Sequence, residues 1–462
     1  MTMEKGQTAY GRLFRNRNFV ALWLGQTISF IGDYFYWLAI PIMVERLTGS
    51  ALQVGLSVMA SALPVLLLGP VAGVFVDRWD RKRTMIVADL LRALLVLACL
   101  SVRTADQVWI YYVVAFSMSC ISRFFFPARG ATLPLIVRDT DDLLAANGLM
   151  QIVETVGLLV GPALAGFTIG LWGANVAFLV DSASFLVSAA AIVTMTVPHT
   201  EAGRRESQAT RGSFGAVWSE LREGVAFLFG SRTMVGILLC LSVVQLGLGA
   251  LNVVWVPYMQ RTFGLGPEGL GAVDTAQGIG MALGGMLLGF VAARFSKRGM
   301  AGWSIVVIGV LFALIGVAPA WSLASLRGQV ATVPMAEMSV AQRLGYMPLM
   351  LMVYSALLGI VLIPAQSALV TTMQLAVPDL KRGRVGGALN AVTTAATLLS
   401  MAVAASLGEV VKLGMIYVVA GAIVVAAGVM GLAVLEEPKA QEAPAPRPLL
   451  RQERGPEVGV AE

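Results

Sequence analysis

The fold is decided by one stretch, Gly73-Val-Phe-Val-Asp77-Arg78-Trp79-Asp80-Arg81-Lys82-Arg83. Its last seven residues carry six charges, and apolar segments flank it on both sides. Because charges at this density are costly in lipid, the stretch is predicted to be a tight turn between two membrane helices. Four of the six charges are positive, which predicts that the turn lies on the cytoplasmic side of the membrane.

The composition indicates a protein that crosses a membrane many times. Hydrophobic residues make up 57% of the 462 residues, and charged residues make up only 13%. Soluble domains carry about 25% charged residues. The net charge of +6 comes from basic residues in short loops between apolar segments, so it predicts topology rather than a nucleic-acid partner. We therefore expect an all-α integral membrane protein surrounded by the lipid bilayer.

Cysteine and histidine are too few and too scattered to predict a metal site or a disulfide framework. Cys99, Cys120 and Cys240 lie inside apolar runs, and the single histidine, His199, follows Pro198 at the end of a span. The sequence also lacks a GxxxxGK(S/T) phosphate-binding loop. We expect no metal, no cofactor and no enzyme activity. The first apolar segment is expected to remain as a membrane helix rather than to be cleaved.

Twelve apolar runs are each long enough to cross the bilayer as a helix of about 20 residues. With the charged turn inside, both termini lie in the cytoplasm. Of the 33 Lys and Arg residues, 24 then lie in cytoplasmic segments, six in external segments and three within spans, as the positive-inside rule requires. The predicted spans are 18–45, 51–77, 84–103, 108–136, 143–170, 173–196, 233–261, 268–294, 301–321, 346–376, 384–411 and 413–435.

A long connection divides the twelve spans into two sets of six, which predicts two halves related by an internal repeat. Gly73-Val-Phe-Val-Asp77-Arg78 is matched loosely by Gly289-Phe-Val-Ala-Ala293-Arg294 at the end of the eighth span. Within the connection, the amphipathic segment 214–229 is expected to form a helix on the membrane surface. The predicted units are an N-terminal half at 1–197, a cytoplasmic linker at 198–232, a C-terminal half at 233–435 and a disordered cytoplasmic tail at 436–462.

The charged turn resembles the signature of the major facilitator superfamily, which here is Gly73-x-x-x-Asp77-Arg78-x-x-Arg81-Lys82. The resemblance implies the major facilitator fold, in which twelve transmembrane helices form two pseudo-symmetric six-helix halves around a midplane cavity. It also implies that Gly73, Asp77 and the basic residues form a cytoplasmic gate. The partial positive charge at the amino terminus of the eleventh span would attract Asp77 across the halves. A plain topogenic basic loop is the alternative.

A second pattern, Gly157-x-x-x-Gly161-Pro162-x-x-x-Gly166 in the fifth span, resembles the antiporter motif of drug exporters in this superfamily. Small residues four positions apart also make a smooth packing face, so ordinary helix packing is the alternative. Two further segments, 126–137 and 178–186, resemble the branch of drug:proton antiporters that includes macrolide efflux proteins and the enterobactin exporter.

Carboxylates inside the spans are candidates for proton coupling, because a charge there costs about 2.5–3.5 kcal/mol and by default marks function. Asp33, Glu154 and Asp181 in the first, fifth and sixth spans are these candidates. A proton and a cationic substrate would compete for such a carboxylate, which is the minimum chemistry of an antiporter. The alternatives are a structural hydrogen bond for Asp33 and a fixed ion pair with Arg123 or Arg129 for Glu154.

The substrate cavity is predicted to combine basic residues with flexible and aromatic side chains. Basic residues would suit an anionic group, whereas methionine and aromatic side chains adapt to varied hydrophobic ligands. Asp89 and Arg92 in the third span are expected to pair and to support the cytoplasmic gate, and Asp274 lies near the external end of the eighth span. The cavity candidates are Arg123, Arg129, Trp255, Met259 and Tyr354.

Together with the resemblance, these features predict a secondary transporter that exports hydrophobic or amphipathic compounds, as in multidrug efflux, in exchange for protons by alternating access. A dedicated exporter of one metabolite, such as a siderophore or a lipid-like molecule, is the alternative. The expected partners are a small-molecule substrate and protons, and the proton gradient supplies the energy. We expect a multi-pass monomer in the bacterial cytoplasmic membrane with both termini in the cytoplasm.

Overall fold

The computed structural model describes residues 9–76, 78–137, 139–197, 214–230, 232–330, 349–378 and 381–434. Three features of the sequence analysis lie outside these residues. They are Asp77, the polar start of the linker, and the tail at 436–462, which is predicted to be disordered. Within the described ranges the chain forms fourteen α-helices and no strand. The helices are α1 (Ala9–Arg15), α2 (Arg17–Thr48), α3 (Ala51–Val76), α4 (Arg81–Ala98), α5 (Trp109–Ile136), α6 (Thr140–Trp172), α7 (Ala174–Thr194), α8 (Phe214–Phe229), α9 (Arg232–Phe263), α10 (Pro267–Arg294), α11 (Lys297–Val330), α12 (Leu349–Ala376), α13 (Arg382–Leu407) and α14 (Leu413–Val434).

All of these helices except α1 and α8 are long and apolar enough to cross a membrane. The predicted number of twelve spans and the all-α fold class are therefore confirmed. Several helices are longer than a bilayer requires. At 1.5 Å per residue, the 33 residues of α6 reach about 50 Å, against a hydrocarbon thickness of about 30 Å. Such helices can tilt within the bilayer or extend beyond it.

Short polar signals set the ends of the helices. The side-chain oxygen of Asn16 accepts the backbone N–H groups of Asn18 and Phe19, at 3.1 and 3.2 Å, and so caps the start of α2. Gly49 ends α2 in the left-handed conformation, with φ 59°, which favours glycine. The Asp80 carboxylate accepts the N–H of Arg83 at 2.7 Å and starts α4. These caps let neighbouring spans run antiparallel through short turns.

The spanning helices pack as two sets. In the first half α2 packs against α6 and α7, and in the second half α9 packs against α13 and α14. The halves touch mainly where α6 meets α10 and where α3 meets α13. We call the face that carries α1, α8 and the charged turn the linker side, and the other face the far side.

The linker helix α8 lies against the second half. A Cβ added to Gly224 would collide with the backbone of Arg384, so α8 closely approaches the first turn of α13. Glu223 accepts a hydrogen bond from Arg384 at 2.7 Å. The predicted helix is thus present, and it packs mainly against α13.

Candidate transport site

Charged side chains from three helices lie close together inside the first half. Asp89 and Arg92, one turn apart on α4, form the expected ion pair, and both side chains are almost completely buried. The Arg92 guanidinium lies 4.3 Å from the centre of the Phe125 ring and 4.4 Å from that of Phe185. Asp33 of α2 is close enough for its charge to interact with both Asp89 and Arg92. The pair therefore belongs to the interior of the half rather than to the charged turn.

Asp181 of α7 completes the interior cluster, which we define as Asp33, Asp89, Arg92 and Asp181. Asp181 is 0% exposed, and neither carboxylate oxygen has a hydrogen-bond partner among the described residues. Gly32 permits the approach of α2, because a Cβ there would collide with α7 and lie 3.2 Å from Asp181 Oδ1. Fully ionised, the cluster would hold three negative charges and one positive charge, which is costly in a medium of low dielectric.

Glu154 of α6 is paired with an arginine. Its Oε1 accepts a hydrogen bond from Arg129 Nη2 at 3.2 Å, and Arg129 also lies 3.5 Å from Gln26 Oε1. This is the fixed ion pair that the sequence offers as the alternative to proton coupling. Glu154 is 39% exposed, so the pair borders open space, and a role of Glu154 in proton coupling stays a prediction.

The glycine motif of α6 makes two separate close contacts. A Cβ added to Gly161 would collide with the ring of Tyr34, so this glycine seats α2 of the same half. A Cβ added to Gly166 would lie 3.0 Å from Gly271 Cα on α10, and a Cβ on Gly271 would collide with the carbonyl oxygen of Pro162. The motif therefore brings the backbones of the two halves together.

An ion pair joins the two halves at the far side. Arg261, at the end of α9, donates from Nη2 to Glu45 Oε2 at 2.8 Å and to the carbonyl oxygen of Gly49 at 2.9 Å. Glu45 is buried. Nearby, Gly55 of α3 lies so close to α13 that an added Cβ would be 2.5 Å from the Ala405 side chain. The far side is therefore closed by both charge and close packing.

Glu409, which follows α13, makes a second far-side contact between the halves. Its Oε1 accepts the backbone N–H of Leu52 at 2.9 Å and the Ser50 hydroxyl at 2.7 Å. The carboxylate thus caps the amino terminus of α3, where a negative charge is favoured. The hydrogen bond from Leu52, followed by that from Ser50, lowers the pKa of Glu409 below its ordinary value.

We expect the Glu409 contact to weaken as the pH falls. Because the pKa of Glu409 is lowered in the closed form, ionised Glu409 stabilises closure of the far side. This stabilisation is lost as the pH falls from the ordinary glutamate pKa of about 4.5 toward the lowered pKa of Glu409. Spin labels on cysteines that replace the exposed Trp172 and Met415 at far-side ends of the two halves would report a longer distance at low pH.

Glu409→Gln should lengthen that distance already at neutral pH and remove most of its pH response. Asp106→Asn, which changes an exposed far-side carboxylate, is the matched control and should behave as the parent chain. Parent-like distances for Glu409→Gln at both pH values would contradict the role of this contact.

On the linker side, glycines of both halves lack close neighbours. A Cβ added to Gly73 of α3, Gly148 of α6, Gly285 of α10 or Gly387 of α13 would meet no described atom within 4 Å. The approach of α3 to the start of α13 that the gate prediction requires is absent among these residues. The described close contacts between the halves lie toward the far side, which is the pattern expected of a conformation open to the linker side, and the predicted gate around Asp77 stays a prediction.

The basic residues of the charged turn contact their own half. Lys82 Nζ donates to two carbonyl oxygens at the end of α7, at 2.6 and 2.8 Å, where the helix dipole favours a positive charge. Arg81 Nη1 donates to the carbonyl oxygen of Ala131 at 3.3 Å, and Arg78 is exposed. These contacts hold the helix ends of the first half together.

The predicted cavity residues fall into different environments. The indole N–H of Trp255, the hydroxyl of Tyr354 and Nε of Arg123 are buried without a hydrogen-bond partner among the described residues. Met259 is 0% exposed inside the packed core, so it borders no open space in this conformation. Arg129 is occupied by Glu154.

The far-side contacts were not predicted from the sequence. Glu45 and Arg261 are 216 positions apart, and neither residue stands in a recognisable motif. One signal was available: they occupy the far ends of the first and seventh spans, which are equivalent in the two halves, and they carry opposite charges.

Comparison with known proteins gives several transporters as relatives. An uncharacterised MFS-type transporter of Bacillus subtilis, YfiS, is 28% identical over 91% of this chain and 94% of its own length. Macrolide efflux protein A of Streptococcus pyogenes is 26% identical over 65% of this chain and 73% of its own length. The multidrug efflux pump Tap of Mycolicibacterium fortuitum is 27% identical over 80% of this chain and 84% of its own length.

A solved structure and a family profile agree with this set of relatives. The crystal structure of the nucleoside transporter NupG superposes with a TM-score of 0.67 at 13% identity, over 91% of this chain and 99% of that one, which shows a shared fold. The Major Facilitator Superfamily profile matches residues 22–247 and 237–457, and so spans both halves. This chain is a membrane transporter that belongs to the major facilitator superfamily.

Proposed function

We propose that this transporter exports hydrophobic or amphipathic compounds from the cytoplasm in exchange for protons. The likeness to a macrolide efflux protein and a multidrug efflux pump supports the substrate class. The excess of basic residues on the linker side supports a cytoplasmic location for that side and for both termini. The protein would act in the bacterial cytoplasmic membrane as a monomer, without a cofactor.

The observation that carries the proton exchange is the unpartnered carboxylate of Asp181 beside Asp33. Arg92 can balance one of the three carboxylates in the interior cluster, and it is paired with Asp89. A carboxylate without a partner in a low-dielectric interior is more stable protonated than charged. Asp33 is only half-buried, whereas Asp89 and Asp181 are 0% exposed. Asp33 is therefore the member of the cluster that exchanges its proton with the cavity.

The geometry supports an export cycle that begins with the cavity open to the cytoplasm. Substrate enters from the linker side while the Glu45–Arg261 pair and the Gly166–Gly271 approach close the far side. Rocking of the halves about the bound substrate would break these contacts and close the linker side. Protons from outside would then reach the interior cluster and allow the return.

Ethidium transport in everted membrane vesicles tests this function. Vesicles that contain the transporter should accumulate ethidium when respiration acidifies their interior, and nigericin, which collapses the pH gradient, should stop the accumulation. Accumulation that continues unchanged in nigericin would contradict proton coupling. Vesicles from cells without the protein provide the background.

A dedicated metabolite exporter is the second candidate, and Arg123 favours it. Its buried Nε lacks a hydrogen-bond partner among the described residues, so this arginine could take an anionic group of one specific substrate. A panel of neutral, cationic and anionic compounds screened by thermal shift on the purified protein separates the two functions. Stabilisation by a single anionic compound alone would favour the second.

A further inference from the structure

The second half has one charged residue deep within its membrane helices. Asp274 lies on α10, and its Oδ2 is buried without a hydrogen-bond partner among the described residues. No described arginine or lysine influences or pairs with its carboxylate. The other charged residues of α9 to α14 lie within the first or last turns of those helices: Arg232, Arg261, Glu268, Arg294, Lys297, Arg298, Arg327, Arg382 and Arg384.

Helix geometry directs Asp274 into the cavity between the halves. On α10, Gly271 packs against α6 of the first half, whereas Gly280 and Gly284 pack against α12. With 3.6 residues per turn, the Asp274 direction lies between these two faces, roughly 60° from that of Gly271. The side chain therefore points into the space that α6, α10 and α12 border.

Two tyrosines lie near Asp274. Tyr34, which reaches across from α2, and Tyr417 of α14 are both close enough for their hydroxyls to interact with the Asp274 charge. Trp255 and Tyr354 present buried polar atoms without described partners. At 1.5 Å per residue, Asp274, Trp255 and Tyr354 all lie within about 12 Å of the far-side ends of their helices. Asp274, Trp255 and Tyr354 thus lie at a similar depth from the far side.

This combination suits an organic cation better than a metal ion. Calcium and magnesium need about six or more oxygen ligands, and no group of three metal-ligating side chains occurs among the described residues. A lipophilic cation instead needs one negative charge and aromatic faces, which attract a cation placed over them. Because no protein cation balances Asp274, its ionised form has room for a positive charge from a ligand.

We propose that Asp274 binds the positive charge of a lipophilic organic cation at the far-side end of the cavity. This inference rests on the proposed function for the direction of transport, and it names the substrate class. It also separates two tasks between the halves: the first half exchanges protons and the second half holds the substrate charge.

Binding of tetraphenylphosphonium to the purified full-length protein tests the proposal. Asp274→Asn should weaken this binding by roughly tenfold or more, since a charge-assisted contact contributes at least about 1.4 kcal/mol. Binding of uncharged chloramphenicol should be unchanged. Asp274→Glu should restore much of the affinity, and Thr275→Val, which removes a neighbouring hydroxyl, is the matched control and should bind as the parent protein.

A labelling experiment on the unmodified chain covers the case in which Asp274→Asn does not fold. Dicyclohexylcarbodiimide reacts with carboxyl groups in apolar surroundings, and mass spectrometry can follow the peptide that contains Asp274. Tetraphenylphosphonium should protect this residue from the reagent, and chloramphenicol should not. Reaction at Asp274 that is equal with and without the cation would overturn the proposal.

The outcomes separate this inference from the proposed function. Equal tetraphenylphosphonium affinity of Asp274→Asn and the parent protein, with gradient-driven ethidium export intact, would overturn the Asp274 site alone. Cation binding that depends on Asp274, without gradient-driven export, would support the site and contradict the proposed function.

Discussion

Replacement of Asp33 by asparagine is expected to abolish export driven by a pH gradient. Asp33 is the half-buried carboxylate of the interior cluster, next to Arg92 and to the fully buried Asp181. An asparagine keeps the size of the side chain and cannot exchange a proton. Ethidium accumulation in energised vesicles should therefore fall to the background rate, while immunoblots show a normal amount of protein in the membrane.

Two further variants sharpen this test. Asp33→Glu keeps an exchangeable proton and should retain part of the gradient-driven export. Glu154→Gln removes the partly exposed carboxylate of α6, which Arg129 holds at 3.2 Å, and should reduce export less than Asp33→Asn does. Parent-like export by Asp33→Asn would remove Asp33 from the mechanism.

Replacement of Gly271 by leucine is expected to hold the far side open and to stop transport. A Cβ at this position would collide with the carbonyl oxygen of Pro162, and the Gly166 Cα lies 3.0 Å away. Because both obstacles are backbone, only separation of α6 and α10 can make room. The distance between spin labels at positions 172 and 415 should lengthen relative to the parent chain, and ethidium accumulation should fall to background.

Gly285→Leu is the matched control on the same helix. Gly285 lies two heptads after Gly271, and a Cβ there would meet no described atom within 4 Å. The far-side distance should therefore remain short in this variant. An unchanged distance in Gly271→Leu would contradict the conclusion that the glycine contact between α6 and α10 closes the far side.

The fold could be predicted from the sequence because its determinants are local. Each span is a continuous apolar run, and charged turns such as the one at 77–83 mark where the chain leaves the lipid. Twelve helices follow from these two properties alone. The ends of α2 and α6 lie outside the predicted limits 18–45 and 143–170. Asn16 and Asp139 cap the two helices at Arg17 and Thr140, before the apolar runs begin.

The site could be predicted only in part. The cost of burying a charge pointed to Asp33, Glu154 and Asp181, and an ion pair with Arg129 was among the alternatives for Glu154, but the surroundings of Asp33 and Asp181 were not predicted. The closeness of Asp181 to Asp33 and Arg92 depends on how three helices pack, and the sequence contains no motif that indicates this packing. The same reason explains why the Arg261–Glu45 pair was missed.

The conformation could not be predicted from the sequence, for a different reason. A transporter sequence must be compatible with both a closed and an open linker side, so Gly73 can be a gate residue and still lack a close neighbour in this structure. The contacts of Lys82 with the end of α7 show that part of the charged motif stabilises one half, whichever side is open.

Proton release on substrate binding tests the central claim most directly. Purified protein in a weakly buffered detergent solution would be mixed with tetraphenylphosphonium while a pH indicator records the medium. If carboxylates in the cavity exchange protons for a cationic substrate, the medium acidifies in proportion to the cation that binds, and release saturates when binding does. A constant pH, with the cation bound, would contradict the account.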